Sequence, residues 1–263
     1  MIQITNLSVQ RGNKNILDDV SCVIFTGKKL AILGANGAGK STLLKCISRE
    51  ISDYHGQILL EGNALHQWPA LQRAKHLAVM PQKVELTFPF QVYQVVAMGR
   101  SPYGDENQSH DLIQQAMSRT DVWHLRDRSY PLLSGGEQQR VQLARVLLQI
   151  WQPNQDTEDG ALKQRYLLLD ECTSALDPAH QHGIMTLAGQ FAQQGVAVLA
   201  VMHDVALAAS WADDVLILKH GAELASGGRQ LLADADVLQQ AYDLDCNLAM
   251  QYAQQNQQWL ACR

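Results

Sequence analysis

The amino-acid sequence predicts an α/β protein in which a doubly wound parallel core carries an antiparallel β subdomain and an inserted helical subdomain. Three observations point there. Residues 166–169 and 196–202 are continuous apolar runs of the length expected for parallel strands buried on both faces. Residues 2–9, 20–25 and 57–60 alternate polar with apolar side chains, with turn signals at Gly12, Gly27 and Gly62, and read as short strands of an antiparallel layer. In the middle third, apolar residues recur at helical spacing over 92–99, 109–125 and 134–150.

Taken in chain order, the β layer comes first. Lys29 to Leu33 then forms a buried-type strand that runs into a glycine-rich turn and a helix over 40–47. The helical lobe follows. Between Trp151 and Arg165 the segment PNQDTEDGALKQ, polar and rich in breakers, reads as an exposed loop, and the glutamine-rich stretch 251–259 as a strand or a surface tail. The expected organisation is one domain over 1–263, with an α/β core and β subdomain from 1–86 and 164–263 and a helical lobe from 87–163.

Bulk composition narrows the function classes. With 263 residues, 46% hydrophobic and 18% charged, the chain can bury a full core. Its 21 basic against 26 acidic side chains give a net charge of -5, with no cationic surplus to follow a phosphate backbone, so no nucleic acid is expected as a partner. The cysteines Cys22, Cys46, Cys172, Cys246 and Cys262 never form a C-x-x-C pair and fit plain thiols in a reduced cytosol. Residues 1–12 lack the basic stretch and apolar run of a secretory signal. A membrane span needs about 20 apolar residues, and the run 196–202 stops at His203 and Asp204. A cytoplasmic protein is expected, reaching a membrane only through another protein.

The residues Gly34, Ala35, Asn36, Gly37, Ala38, Gly39, Lys40, Ser41 and Thr42 fit G-x-x-x-x-G-K-[ST] between a predicted strand and a predicted helix. Glycines let backbone N–H groups turn inward around phosphate oxygens, aided by the positive end of the helix. Lys40 supplies a point charge for the outer phosphates of ATP, and Ser41 a hydroxyl ligand for Mg²⁺. Residues 166–171 end a buried strand in two adjacent carboxylates, where ligands of such sheets bind. Asp170 suits Mg²⁺, directly or through water, and Glu171 suits activation of the attacking water. Alone, such a pair is as compatible with a helix cap; downstream of a phosphate loop it gains weight.

Leu133, Ser134, Gly135, Gly136, Glu137, Gln138, Gln139 and Arg140 resemble the signature of the ABC ATPase family. A serine and two glycines opening a helix make both a cap and an anion-receptive end, because the two uses share the same groups. Further marks of that family stand in order: Gln82 after Met80 and Pro81, the segment Ser174, Ala175, Leu176 and Asp177, and His203 after the second apolar run. The resemblance covers nearly the whole chain. It implies a P-loop NTPase core of the RecA-like kind and a head-to-tail dimer with a second copy, in which Ser134, Gly135 and Gly136 face the γ-phosphate held by the partner. It further implies that Gln82 links Mg²⁺ and water to the helical lobe, that Asp177 crosses the dimer and that His203 contacts the γ-phosphate. The other histidines are read as ordinary surface or core residues, since His180 and His182 at i and i+2 do not face each other on a helix.

Two departures from the family pattern stand out. Where members often stack an aromatic on adenine, this chain offers Arg11, whose planar guanidinium can stack on a base. Cys172 replaces the usual proline after Glu171, which frees φ and adds an N–H donor.

Residues 95–103, including Gly99, Arg100 and Tyr103, resemble the segment found in ATPases of iron-siderophore, vitamin B12 and haem importers. The long segment between Trp151 and Arg165 is similar to that of haem-importer ATPases of Gram-negative bacteria. The resemblance therefore implies haem import powered by ATP hydrolysis. It places the chain on the cytoplasmic face of the bacterial inner membrane, bound to two integral-membrane permease subunits and acting indirectly with a periplasmic haem-binding protein. Arg100 and Tyr103 are expected at a surface that the permease feels. The alternatives are a ferric-siderophore or B12 importer and, from another class, a non-transport ABC ATPase acting on ribosomes or DNA.

Overall fold

The computed structural model describes residues 1–82, 84, 86, 88–104, 110–151, 164–173 and 176–261. Two sheets organise it. Strands β1 (Ile2–Arg11) and β2 (Lys14–Ile24) form an antiparallel hairpin; β3 (Lys29–Leu33) leads to helix α1 (Lys40–Ser48), and β4 (His55–Leu60) and β5 (Asn63–Ala64) follow. Helix α2 (Ala70–His76) and β6 (Leu77–Met80) precede the helices α3 (Val92–Ala97), α4 (His110–Arg119) and α5 (Gly135–Ile150). The chain then returns through β7 (Arg165–Asp170), α6 (Pro178–Gln193), β8 (Val196–Val201), α7 (Val205–Trp211), β9 (Asp214–Lys219) and β10 (Ala222–Gly228). It ends on α8 (Ala235–Tyr242) and α9 (Cys246–Ala261).

The antiparallel sheet has the order β2-β1-β4-β5 and the larger sheet the order β10-β9-β3-β8-β7-β6. In the larger sheet every neighbouring pair from β9 to β6 is parallel, and only β10 runs antiparallel at its edge. Side chains alternate across the parallel strands, so Ala31, Leu167, Leu169, Val198 and Ala200 enter one apolar layer with α3, α5 and α6. Ile32, Tyr166, Leu168, Ala197 and Leu199 enter the other, against α1 and the antiparallel sheet. This double burial is why the strands read as unbroken apolar runs. Their common direction puts the carboxyl ends of β3, β7 and β8 at one edge.

Several elements differ from the sequence reading. The stretch 251–259 lies within α9, a helix rather than a strand or tail. Ala249, Ala253 and Asn256 form its buried face at i, i+4 and i+7, and Asn256 Nδ2 donates to the Leu232 carbonyl at 2.7 Å. Glutamine is a fair helix former, and the small buried residues hid the period. The stretch 92–99 passes at Met98 from α3 into a 3-10 turn, Met98–Tyr103. Gly99 is required there, since a Cβ would lie 2.2 Å from the Arg145 carbonyl oxygen. Arg100 and Tyr103 brace the end of α5 more than they present a free surface: the Arg100 guanidinium stacks 3.8 Å from the Tyr103 ring centre, and Tyr103 Oη donates to the Gln149 carbonyl at 2.9 Å. The predicted loop after Trp151 lies almost wholly outside the described residues, as do Ser174, Ala175 and Cys262. No helix among the described residues is long and apolar enough to cross a membrane.

Candidate active site

At the end of β3 the chain turns through Gly34, with φ 135°. A Cβ there would lie 2.1 Å from the Leu218 carbonyl oxygen, so the loop packs on the end of β9 with backbone alone. Gly39, with φ 101°, stands at the start of α1, where a Cβ would meet Leu17 Cδ2 at 2.6 Å and the Ile16 carbonyl at 2.8 Å. Between these two fixed points Ala35, Asn36 and Gly37 are exposed, and no side chain caps the first turn of α1. Such an end offers N–H groups and the positive pole of the helix to an anion.

Lys40 is almost fully buried inside this loop, and its ammonium donates to the carbonyls of Gly34 at 2.7 Å and Ala35 at 3.0 Å. Burial lowers its pKa, while the carboxylates of Glu171 and Asp170 pull it back up. Ser41 Oγ donates to Asp170 Oδ1 at 3.0 Å. Asp170 closes β7 and is only 6% exposed; burial raises its pKa, and the Ser41 hydrogen bond works against that rise. A hydroxyl and a desolvated carboxylate side by side are hard oxygen donors of the kind Mg²⁺ takes, and a cation there would offset the cost of the buried charge.

Glu171 sits just beyond, in the left-handed backbone region at φ 52°, with its N–H donating to the Val201 carbonyl at 3.3 Å. That conformation is uncommon for glutamate and is held here by the neighbouring strand end. The Glu171 side chain meets two partners. His203 Nε2 lies 2.6 Å from Oε1, and Gln82 Nε2 donates to Oε2 at 2.5 Å. His203 follows β8 and Gln82 follows β6, so three adjacent strands deliver one linked group. Gln82 makes its hydrogen bond to Glu171 rather than to Ser41 or Asp170 among the described residues. Cys172 is buried, with its thiol pushed up to about 12 by burial, and is chemically quiet.

The remaining predicted residues stand apart from this group. Ser134 is the N-cap of α5 in a capping box: Oγ accepts from the Glu137 N–H at 3.3 Å, and the Ser134 N–H donates to Glu137 Oε2 at 2.7 Å. The Ser134 N–H first, and then the Ser134 side chain, keep the Glu137 carboxyl below its usual range. Gly135 is exposed, and a Cβ on Gly136 would press on Leu176 at 3.2 Å. Asp177 caps α6. Arg11 is exposed at the tip of the first hairpin, opposite Lys14. Among the described residues no hydrogen bond joins Ser134, Gly135, Gly136, Asp177 or Arg11 to the loop of Lys40 or to Glu171.

One residue passed over in the sequence does take part in a candidate site: His180 Nδ1 lies 2.6 Å from Asp177 Oδ2. The signal was available, because a residue three places after an N-cap aspartate lies within reach of it.

A model of the ABC transporter family matches residues 17–154. The chain is 44% identical to a hemin import ATP-binding protein, HmuV, of Pseudomonas fluorescens (strain Pf0-1), over 93% of each chain. It is 41% identical to the HmuV of Plesiomonas shigelloides, over 92% of this chain and 95% of that one. Among solved structures, an ATP-binding subunit of an ABC transporter superposes with TM-score 0.76 at 21% identity, covering 97% of this chain and 99% of that one. A nucleotide-free ATP-binding cassette gives 0.76 at 19% identity, over 90% and 96%. These two likenesses speak for the fold.

Proposed function

The chain belongs to the ABC transporter family as an ATP-hydrolysing translocase subunit, and from that premise we propose that it powers haem import from the cytoplasmic face of the bacterial inner membrane. ATPase subunits of this family assemble with transmembrane permeases. The observation that carries haem as cargo is 44% identity over 93% of the chain to a protein that imports hemin. The resemblance of residues 95–103 to iron-chelate importer ATPases supports the same class.

In this reading the loop from Gly34 to Thr42 takes the ATP phosphates, and Lys40 turns its ammonium from the loop carbonyls to the outer phosphates. Ser41 and Asp170 would hold Mg²⁺, with Gln82 joining them, and the ion would supply neutralisation of phosphate charge there. Glu171 accepts the proton of the attacking water. Each of its oxygens already has one partner, Gln82 or His203, and the attacking water takes a remaining lone pair beside them. Gln82, on the segment leading into the helical lobe, thereby ties closure of the site to movement of that lobe. Ser134, Gly135 and Gly136 serve a nucleotide held by a second copy, whose Asp177 lies across the same interface. Arg11 stacks on the adenine.

The test is transport. The chain and two permease subunits, assembled in lipid vesicles with a haem-loaded binding protein, should hydrolyse ATP faster and accumulate haem. Uptake of ferric siderophore or B12 without haem would overturn the cargo assignment and leave the importer reading in place.

A further inference from the structure

We propose that His180 is a positioning residue that fixes the Asp177 carboxylate in the orientation in which it meets the second copy of the chain; this rests on the paired-ATPase reading above. Asp177 Oδ1 accepts from the His180 backbone N–H at 3.0 Å and Oδ2 lies 2.6 Å from His180 Nδ1, so one residue engages both carboxylate oxygens. Without the ring, capping would hold only Oδ1. The Asp177 side chain is 58% exposed, and an aspartate so open to solvent keeps its rotamer only if something local holds it.

The His180 side chain is itself 41% exposed. His180 lines a cavity of about 140 Å³ between α4, α5 and α6, together with Arg119, Arg140 and Leu187. Arg140 ends the signature segment, so His180 lies at a cavity shared by that helix and the carboxylate of Asp177. Nδ1 donates whether the ring is neutral in that tautomer or protonated, and the hold therefore survives both charge states. The Asp177 carboxyl lies below its usual range, first through the His180 backbone N–H and then through the His180 side chain.

Two substitutions separate this role from a structural one. His180→Leu keeps the backbone cap and the bulk against the cavity but removes the donor; His180→Gln, at the third helical position, keeps a donor that can reach back to the cap. Carbon-detected NMR on the isolated chain should show the Asp177 carboxyl pKa rising in His180→Leu and staying low in His180→Gln. In a Glu171→Gln background with ATP, light scattering should show pairing about three- to tenfold weaker in the leucine chain and within about twofold of the parent in the glutamine chain. In an Asp177→Ala background, His180→Leu should add nothing. An unchanged Asp177 pKa in His180→Leu, equal pairing of all three chains, or an undiminished leucine effect without Asp177 would overturn the role. A Glu171→Gln parent that never pairs would overturn the paired reading, and this role with it, whatever the NMR shows.

Discussion

His203 Nε2 stands 2.6 Å from Glu171 Oε1 while Gln82 takes the other carboxylate oxygen, so the candidate base is held from two strand ends at once. Glu171→Gln keeps the shape and loses the base. It should leave ATP affinity near wild type and lower turnover by about 10²- to 10⁴-fold. Steady-state hydrolysis and equilibrium nucleotide binding, measured on one preparation, check both halves; wild-type turnover would remove Glu171 from the mechanism.

Asp170 gives a pH-dependent prediction. Its carboxyl pKa is raised in the folded chain by burial, so the ionised form costs stability, fully so above that folded value. Asp170→Asn should therefore raise the melting temperature of the nucleotide-free protein at neutral pH. The gap to wild type should close as pH falls through the raised pKa, because wild-type Asp170 is then neutral too. The added stabilisation that Mg²⁺ gives with ATP should disappear in the variant. Thermal melts across pH, with and without Mg-ATP, test this, and a destabilised variant at neutral pH would count against it.

On the paired reading, in which Ser134 serves a nucleotide held by a second copy, one chain alone lacks half of each site. Ser134→Arg and Lys40→Ala should each be nearly inactive alone, Lys40→Ala through loss of both nucleotide affinity and turnover. Mixed in equal amounts, the two should recover roughly a quarter of wild-type activity, since half of random pairs are mixed and each carries one intact composite site. No recovery from stably paired mixed chains would contradict the shared site.

Arg11 is exposed and occupies the place expected for the base-stacking residue. Arg11→Ala should weaken ATP binding by about 0.5–1 kcal/mol, the scale of an exposed cation–π contact, and Arg11→Trp should restore it. Equal affinities by calorimetry would give the stacking role to another residue.

The parallel core and the phosphate loop were legible because their physics is local. Residues 166–169 and 196–202 must be apolar on both faces, and Gly34 and Gly39 must be glycine where backbone meets backbone. β9 was less visible: its buried run, Val215 to Leu218, is short and flanked by polar residues. In α9 the buried alanines carry too little apolar weight to mark a face among glutamines. His180 was read against its neighbour His182, whereas the contact that matters runs back to the cap at Asp177. The proximity of Gln82, Glu171 and His203 follows from strand order, which no single segment encodes.

The carbonyl of Ile16 lies against two glycines at once: a Cβ on Gly39 would come within 2.8 Å of it, and one on Gly221 within 2.6 Å. With Gly34 seated on Leu218, the phosphate loop is fixed at its two ends by two backbone segments, more a mould than a clasp that folds around its guest. Little conformational entropy remains for it to lose when ATP arrives. Association should then proceed at the rate of encounter, with the lifetime of bound nucleotide governing how often the motor can be reloaded.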